Sequence, residues 1–516
     1  MLGKTTNMKS ENYKKYRNEL ILFGFNTMII FLTLGLFVMN KHLSSDDFVC
    51  FYNQSEEASA VTYSSYRVVL GWIYNILNSV NINVVKYQIP IGCLMLLSFS
   101  IAVSLMTKMC CSLIHCKQEN RLLIISINIA CLMIVINGFI SEWLWFSVGY
   151  IQWGMSILFS TLSAIYIVKN ENLIKNFLIA LLCAFVSAGC YQVAIAIYVF
   201  EVMFYISYSQ KYKISLSTVK MTIKAAVVAV LAILFNIIIT KVMVACGWGY
   251  SGSRVSIGIQ SIMSKFAVTL MNIVNIYVTG MNGILPRYFL IIVLLAYIAF
   301  IVFVSVKLKR KWNPILLIVS LFAGIIVMCA PVLLQEVFWQ PARMVVPLMA
   351  IFTVLHLVAT EICKNEKRYL IGVILGGICV LGVNFYAIQE NTIDCIKTNA
   401  IQEKEIHDID NYLRSYEEKN NTSILKVAFI NDQYITYKFY REIKNGNYSG
   451  EMATRAIWVD WANLQMLNYY SNRNLNKVSA YDEEDIKMNF EKENYDYFSP
   501  AEQIYIKDDT AYIYVY

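Results

Sequence analysis

The sequence predicts a membrane all-α protein of about eleven transmembrane helices followed by a soluble α/β domain, and three observations carry that prediction. Hydrophobic residues make up 58% of the 516 residues and charged residues only 15%, too apolar for a soluble chain. Apolar runs of roughly 20 residues, enough to cross a hydrocarbon core of about 30 Å, recur between residues 21 and 389. The charge is divided: residues 390–516 hold 22 acids and 14 bases, whereas residues 1–389 hold 13 acids and 29 bases. A basic, apolar body therefore precedes an acidic, polar one, and the bases of the first read as topology determinants rather than as a nucleic-acid surface.

The expected spans are residues 21–40, 87–107, 122–140, 150–168, 221–243, 287–306, 313–330, 345–361 and 369–389. The run 176–207 is too long for one span and is broken by SAGCYQ (187–192), so it reads as two spans with a turn at the break. Lys4, Lys9, Lys14, Lys15 and Arg17 make residues 1–20 a cytoplasmic segment, and KLKRK (307–311) and KNEKR (364–368) mark later inner loops. The loop 41–86 then lies outside, as does the tail 390–516. No cleavable leader with a small-residue site precedes the first span, so that span should remain as an anchor. Residues 262–285 cannot cross under this count and read as an amphipathic or re-entrant outer helix, with Lys265, Asn272, Asn275 and Asn282 facing water. In the tail, a charged helical stretch at 396–418 gives way to strand-like KVAFI (426–430) and AYIYVY (511–516).

Polar residues of the membrane body sort to the outer face. Asp46, Asp47, Glu56, Glu57 and Glu142 fall in early outer loops, and Arg67, Arg254, Arg287 and Arg343 in or beside outer connections. Each lies near aromatic or glycine context, as in SEWLWFSVGYIQW, GWGYSGSRVS and EVFWQPARM, the last carrying Trp339. Such rings suit sugar faces and membrane interfaces alike. A carboxylate at a membrane surface can deprotonate a sugar hydroxyl, and the pair in KHLSSDDFVCFYN supplies two. The same residues can equally cap a short helix, with Asp46 at the cap position and Asp47 left as the base. Arg343 and Arg254 could stabilise charge on a lipid phosphate, or snorkel to headgroups. Cys110, Cys111, Cys116 and His115 share a short basic loop without a second ligand pair, so no metal site is expected.

SDDF after the first span, YRVVLGW with Arg67, the Tyr191–Gln192 break, and QPARMVVPLMAIF opening a late span together resemble the GtrII-like glucosyltransferases, bacterial membrane enzymes of the GT-C class. The resemblance covers most of the membrane body. Around Arg67 the sequence departs from the family pattern: Ser65 and Tyr66 precede the arginine and Trp72 follows five residues on. The resemblance implies a GT-C-like bundle that moves a sugar, such as glucose, from a polyprenyl (undecaprenyl) phosphate carrier to a cell-surface polysaccharide. It implies Asp47 or Asp46 as general base, and Arg343, Arg254, Arg67, Glu142, Tyr191, Gln192 and Trp339 as contacts to lipid phosphate or sugar. No metal or other cofactor is expected, because a lipid-monosaccharide donor carries a single phosphate. A polysaccharide polymerase or flippase is the alternative; the spans are nearly free of acids, with Glu201 and Glu361 at or near inner ends, which argues against a transport path.

Overall fold

The computed structural model describes residues 2–57, 65–116, 120–169, 172–209, 215–248, 259–309, 314–333, 338, 340–431, 455–479 and 498–515. Helices dominate. In chain order they are α1 (Leu2–Met39), α2 (Ser45–Tyr52), α3 (Gln54–Glu57), α4 (Val68–Ser79), α5 (Gln88–Leu113), α6 (Arg121–Val135), α7 (Ile140–Trp145), α8 (Tyr150–Ile167), α9 (Leu173–Cys190), α10 (Ile195–Ser209) and α11 (Leu216–Ala245). There follow α12 (Ile259–Gly283), α13 (Phe289–Lys307), α14 (Pro314–Leu333), α15 (Ala342–Val345), α16 (Met349–Cys363) and α17 (Lys367–Asn420). Among the described residues ten helices are long and apolar enough to cross a membrane. Their outward faces carry large apolar side chains, such as Leu32, Leu36, Leu94, Leu178, Val230, Leu295 and Phe303. A soluble protein does not expose apolar surface on this scale, and a bilayer is the solvent that suits it.

Consecutive long helices pack as neighbours, α1 on α5, α5 on α8 and α8 on α9, while α16 lies against α6, α13 and α17. With lipid outside, the hydrophobic effect gives little reason for helices to associate, so small polar groups join them. Asn26 of α1 donates to Ser104 (2.9 Å), Asn128 donates to Asn26 (2.8 Å) and Thr107 donates to Asn128 (2.9 Å). Farther along, the buried His356 ring meets Tyr297 (2.7 Å) and Ser126 (3.2 Å).

The run 176–207 forms two helices, α9 and α10, with Tyr191 extended between them and one 3-10 turn at Gln192–Ala194, as the SAGCYQ break predicts. Three features differ from expectation. First, α6 stops at Val135, short of residue 140, because Asn137 and Gly138 break the run; Asn384 of α17 accepts the freed Gly138 amide (2.9 Å). Second, α12 turns part of its polar set inward: Lys265 and Thr269 are buried and Asn272, half-buried, donates to Gln340 (2.9 Å), whereas Asn275 is exposed as expected, beside the apolar Met263, Val268, Met271 and Val274, and the Asn282 side chain lies outside those described. Lys265 and Asn272 thus do not face water. An apolar surrounding inverts the amphipathic rule, so polar groups seek the protein. Its length and composition would allow α12 to cross a membrane. Its contacts with Gln340, and those of the following turn with Gly138, lie at one end of the bundle.

Third, the expected boundary at residue 390 falls inside α17, one helix of 54 residues spanning about 80 Å at 1.5 Å per residue. No Gly or Pro interrupts residues 383–420, so nothing ends the helix where the membrane body gives way to the polar tail. The tail's described residues build on the distal part of α17. Four strands, β1 (Lys426–Asn431), β2 (Asn476–Lys477), β3 (Ile504–Lys507) and β4 (Thr510–Val515), form a sheet in the order β2-β1-β4-β3, with β1 parallel to β2 and β4 and with β3 antiparallel to β4. The helix α18 (Asn463–Ser471) lies between α17 and α2, and the short α19 (Pro500–Gln503) leads into β3. Arg455 pairs with Glu405, and Arg473 pairs with Asp410 and Glu417, fixing the tail to α17.

Candidate functional site

The connections after α1, α6 and α9 and the start of α15 lie together at one end of the bundle, and they carry the polar residues singled out from the sequence. The organising piece is residues 140–149. It comprises α7 and a single 3-10 turn at Ser147–Gly149, every residue of it buried.

On one side this piece holds Asp47. The Asp47 carboxylate is 0% exposed and accepts hydrogen bonds from Ser44 N (2.8 Å), Ser44 Oγ (2.8 Å), Ser147 Oγ (2.8 Å), Ser147 N (3.3 Å) and Val148 N (2.7 Å). Ser44 caps α2, and Asp47 completes the reciprocal capping box at its third residue. The N-cap expected at Asp46 falls instead on Ser44, two residues earlier, and this register makes Asp47 the partner that completes the box. Burial pushes the Asp47 carboxyl above the usual range, opposed by its hydrogen bonds from Ser44 and Val148 and by nearby His42. Burial likewise pushes His42 down, offset in part by the carbonyls of Asn40 (2.8 Å) and Leu144 (2.9 Å) that its ring nitrogens meet. Asp46, one position along α2, is half-buried.

On its other side the same piece holds Arg343. Glu142, 1% exposed, accepts from both the Arg343 backbone amide (2.8 Å) and Nη1 (2.6 Å). The guanidinium lies 4.8 Å from the centroid of the Phe146 ring, and Trp143 Nε1 donates to the Arg343 carbonyl (2.9 Å). Two residues expected to contact substrate separately are thus partners of each other. Trp143 stacks on Trp153 at 4.8 Å, and both rings meet the edge of Tyr191 (6.0 and 4.7 Å). Arg67 in turn lies over Tyr191 (5.1 Å) and approaches Gln152 (3.4 Å), while Gln192 donates to the carbonyls of Ser65 and Tyr66. The structure thereby joins Asp47, Glu142, Arg343, Arg67, Tyr191 and Gln192 through one aromatic and hydrogen-bonded network. Arg254 and Trp339 lie outside the described residues.

Sequence reasoning missed Ser147 and Val148 as partners of Asp47, Phe146 beneath Arg343, and Gln152 beside Arg67. The stretch SEWLWFSVGYIQW carries all four, but nothing local indicates that its amides serve a carboxylate about a hundred residues earlier. Glu201, expected near the inner end of its span, is instead buried midway along α10, where it accepts from Thr161 (2.9 Å).

A helical bundle with an apolar exterior, and with a buried ion pair and tryptophans gathered at one end, defines a multi-pass membrane protein with a polar site at its rim. A family model described as glucosyl transferase GtrII matches residues 35–383, more than half of the chain and the whole of this network. The chain belongs to that family and is a glycosyltransferase. No curated protein and no solved structure matches it.

Proposed function

We propose that the chain transfers glucose from a polyprenyl phosphate carrier, such as undecaprenyl phosphate, to a cell-surface polysaccharide on the outer side of the membrane. In this reading the N-terminus is cytoplasmic, and the network end of the bundle and the residues after 390 face outward. The observation that carries the reading is the shared buried piece 140–149, which ties the acid-bearing helix α2 to the Glu142–Arg343 pair. A base and a phosphate-binding cation need fixed relative positions, and one rigid connector supplies that.

Asp46 takes the proton of the acceptor hydroxyl as that oxygen bonds to the anomeric carbon. The bond from that carbon to the carrier phosphate breaks, and the lipid phosphate leaves with the electron pair. Asp47, with its oxygens occupied by five donors, positions α2 rather than accepting the proton. Arg343, oriented by Glu142, and Arg67, oriented by Tyr191 and Gln152, balance charge on the phosphate; Gln192 holds the backbone ahead of Arg67. Arg254 and Trp339 complete the donor contacts in this reading.

The test is glucosylation of surface polysaccharide by Asp46→Asn and Asp47→Asn chains. A general base contributes about 10²–10⁴-fold, so Asp46→Asn should lose at least about a hundred-fold. Full transfer by Asp46→Asn would reject the assignment of the base, and full transfer by both variants would reject a role for the pair.

A further inference from the structure

We infer that Tyr469 and Tyr470 of α18, in the tail beyond the matched family region, are positioning residues for the acid-bearing helix α2. The inference rests on the catalytic reading of that helix. Only eight residues long, α2 cannot hold its own geometry, since isolated helices shorter than about 12 residues are marginal in water. Three grips hold it. At its start, Asp47 binds Ser44, Ser147 and Val148. At its end, Asn83 Nδ2 donates to the carbonyls of Cys50 (2.9 Å) and Phe51 (3.3 Å).

The third grip comes from the tail. Phe48, 1% exposed, presents its ring to both Tyr469 and Tyr470, each at 5.7 Å with planes 67° and 66° apart. Phe51 meets Tyr469 at 4.9 Å and 84°, and the two tyrosines meet each other at 5.0 Å and 84°. These are edge-to-face contacts, the arrangement that ring quadrupoles favour and that resists sliding. Lys41, just ahead of α2, donates to the Tyr469 hydroxyl (2.7 Å), and Leu43 N donates to Asn399 of α17 (2.9 Å).

The tyrosines are themselves anchored. Arg414 of α17 donates to the Ser471 carbonyl (3.3 Å), and Arg473 pairs with both Asp410 and Glu417. The long helix thus carries a rigid bracket from the membrane body back to α2. Of the three grips, this one bears on the side chains beside Asp46 and Asp47, so it governs the tilt of α2 rather than its existence. A displacement of about 1 Å at a reacting group can cost on the order of a hundred-fold in rate, which is the scale of control available here.

The test compares full-length chains carrying Tyr469→Ala with Tyr470→Ala, Tyr469→Phe with Tyr470→Phe, and Asp46→Asn. Steady-state kcat and donor KM are measured on the folded fraction, together with thermal unfolding. The alanine pair should lower kcat by at least about ten-fold with donor KM changed by less than roughly two-fold, the signature of lost transition-state geometry rather than lost binding. The phenylalanine pair keeps the rings and should restore kcat. An alanine pair with wild-type kcat per folded molecule, or a loss that phenylalanine leaves in place, overturns the inference. If Asp46→Asn is inactive while the alanine pair is unaffected, the inference alone fails; if Asp46→Asn keeps full activity, the catalytic reading fails instead.

Discussion

The Asp47 carboxylate accepts a 2.7 Å hydrogen bond from the backbone amide of Val148, a residue 101 positions later in the chain. Through this bond and its neighbours at Ser147, the first connection after α1 is bound to the connection between α6 and α8. The two aspartates are therefore unequal. Asp47→Asn replaces a charged acceptor with a neutral amide whose NH₂ must face at least one of the five donors. Hydrogen bonds to charged groups contribute about 1.5–3 kcal/mol each, so a loss of about 3 kcal/mol is expected. Thermal unfolding in detergent should show a larger drop in midpoint for Asp47→Asn than for Asp46→Asn, even though the latter loses transfer. Equal midpoints for both variants would contradict the division of roles.

The ion pair between Glu142 and Arg343 gives a second prediction. Its side chains are 1% and 13% exposed, so removal of one partner leaves a nearly buried charge. Breaking such a pair costs about 3–5 kcal/mol, and a double-mutant cycle of Glu142→Gln and Arg343→Gln should show a coupling of about 2 kcal/mol or more. Arg343→Lys should not rescue, because a point-like ammonium cannot both bind Glu142 Oε1 and lie flat on Phe146. Additive single losses would indicate that the pair is solvated in the working protein.

His42 makes stability depend on pH with a definite sign. Burial lowers its folded pKa below the ordinary 6.5, so below that value the unfolded chain binds the proton first. The contribution of neutral His42 is complete above pH 6.5 and is lost as pH falls from there toward the folded value. Asp47 works oppositely: its raised pKa favours the protonated folded form, so its own term improves as pH falls toward 3.8. The difference between wild type and His42→Gln reports the histidine together with its effect on Asp47. Melting midpoints between pH 7.5 and 5.5 should fall more steeply for the wild type than for the variant. Parallel slopes would remove His42 from the account.

Much of the fold was legible because a bilayer imposes a length on every crossing element. The apolar runs, the SAGCYQ break between α9 and α10, and the strand character of 426–430 and 511–516 all followed from local pattern. The early stop of α6 was hidden because Asn137 and Gly138 sit within an apolar run, and it is Asn384, far along the chain, that satisfies the freed amide. The inward-turned Lys265, Thr269 and Asn272 of α12 invert the rule for helices in water, while Asn275 stays exposed. For the site, residue types were readable but partnerships were not. Glu142 and Arg343 stand 201 positions apart, and no local signal pairs them. Nor did the aspartate pair itself reveal which member joins the cap of α2, since that depends on whether the N-cap falls on Ser44 or on Asp46.

The last prediction concerns metal ions. Many sugar-phosphate donors carry two phosphates and need a divalent cation to bridge them, whereas the proposed donor carries one. A single phosphate needs about one or two compensating charges, and guanidinium groups provide these with fixed geometry and directional donors. Arg343 and Arg67 are joined through Trp143 and Tyr191, so their spacing is set by a packed aromatic core and not by flexible loops. Transfer should therefore be unchanged by EDTA, and added Mg²⁺ or Mn²⁺ should not raise kcat. Tyr191→Leu should weaken donor binding instead, because it removes the ring beneath Arg67; a cation–π contact is worth about 0.5–2 kcal/mol, so donor KM should rise by roughly two- to thirty-fold. Activity abolished by EDTA and restored by one divalent ion would show that the arginines do not suffice, and the monophosphate donor would have to be reconsidered.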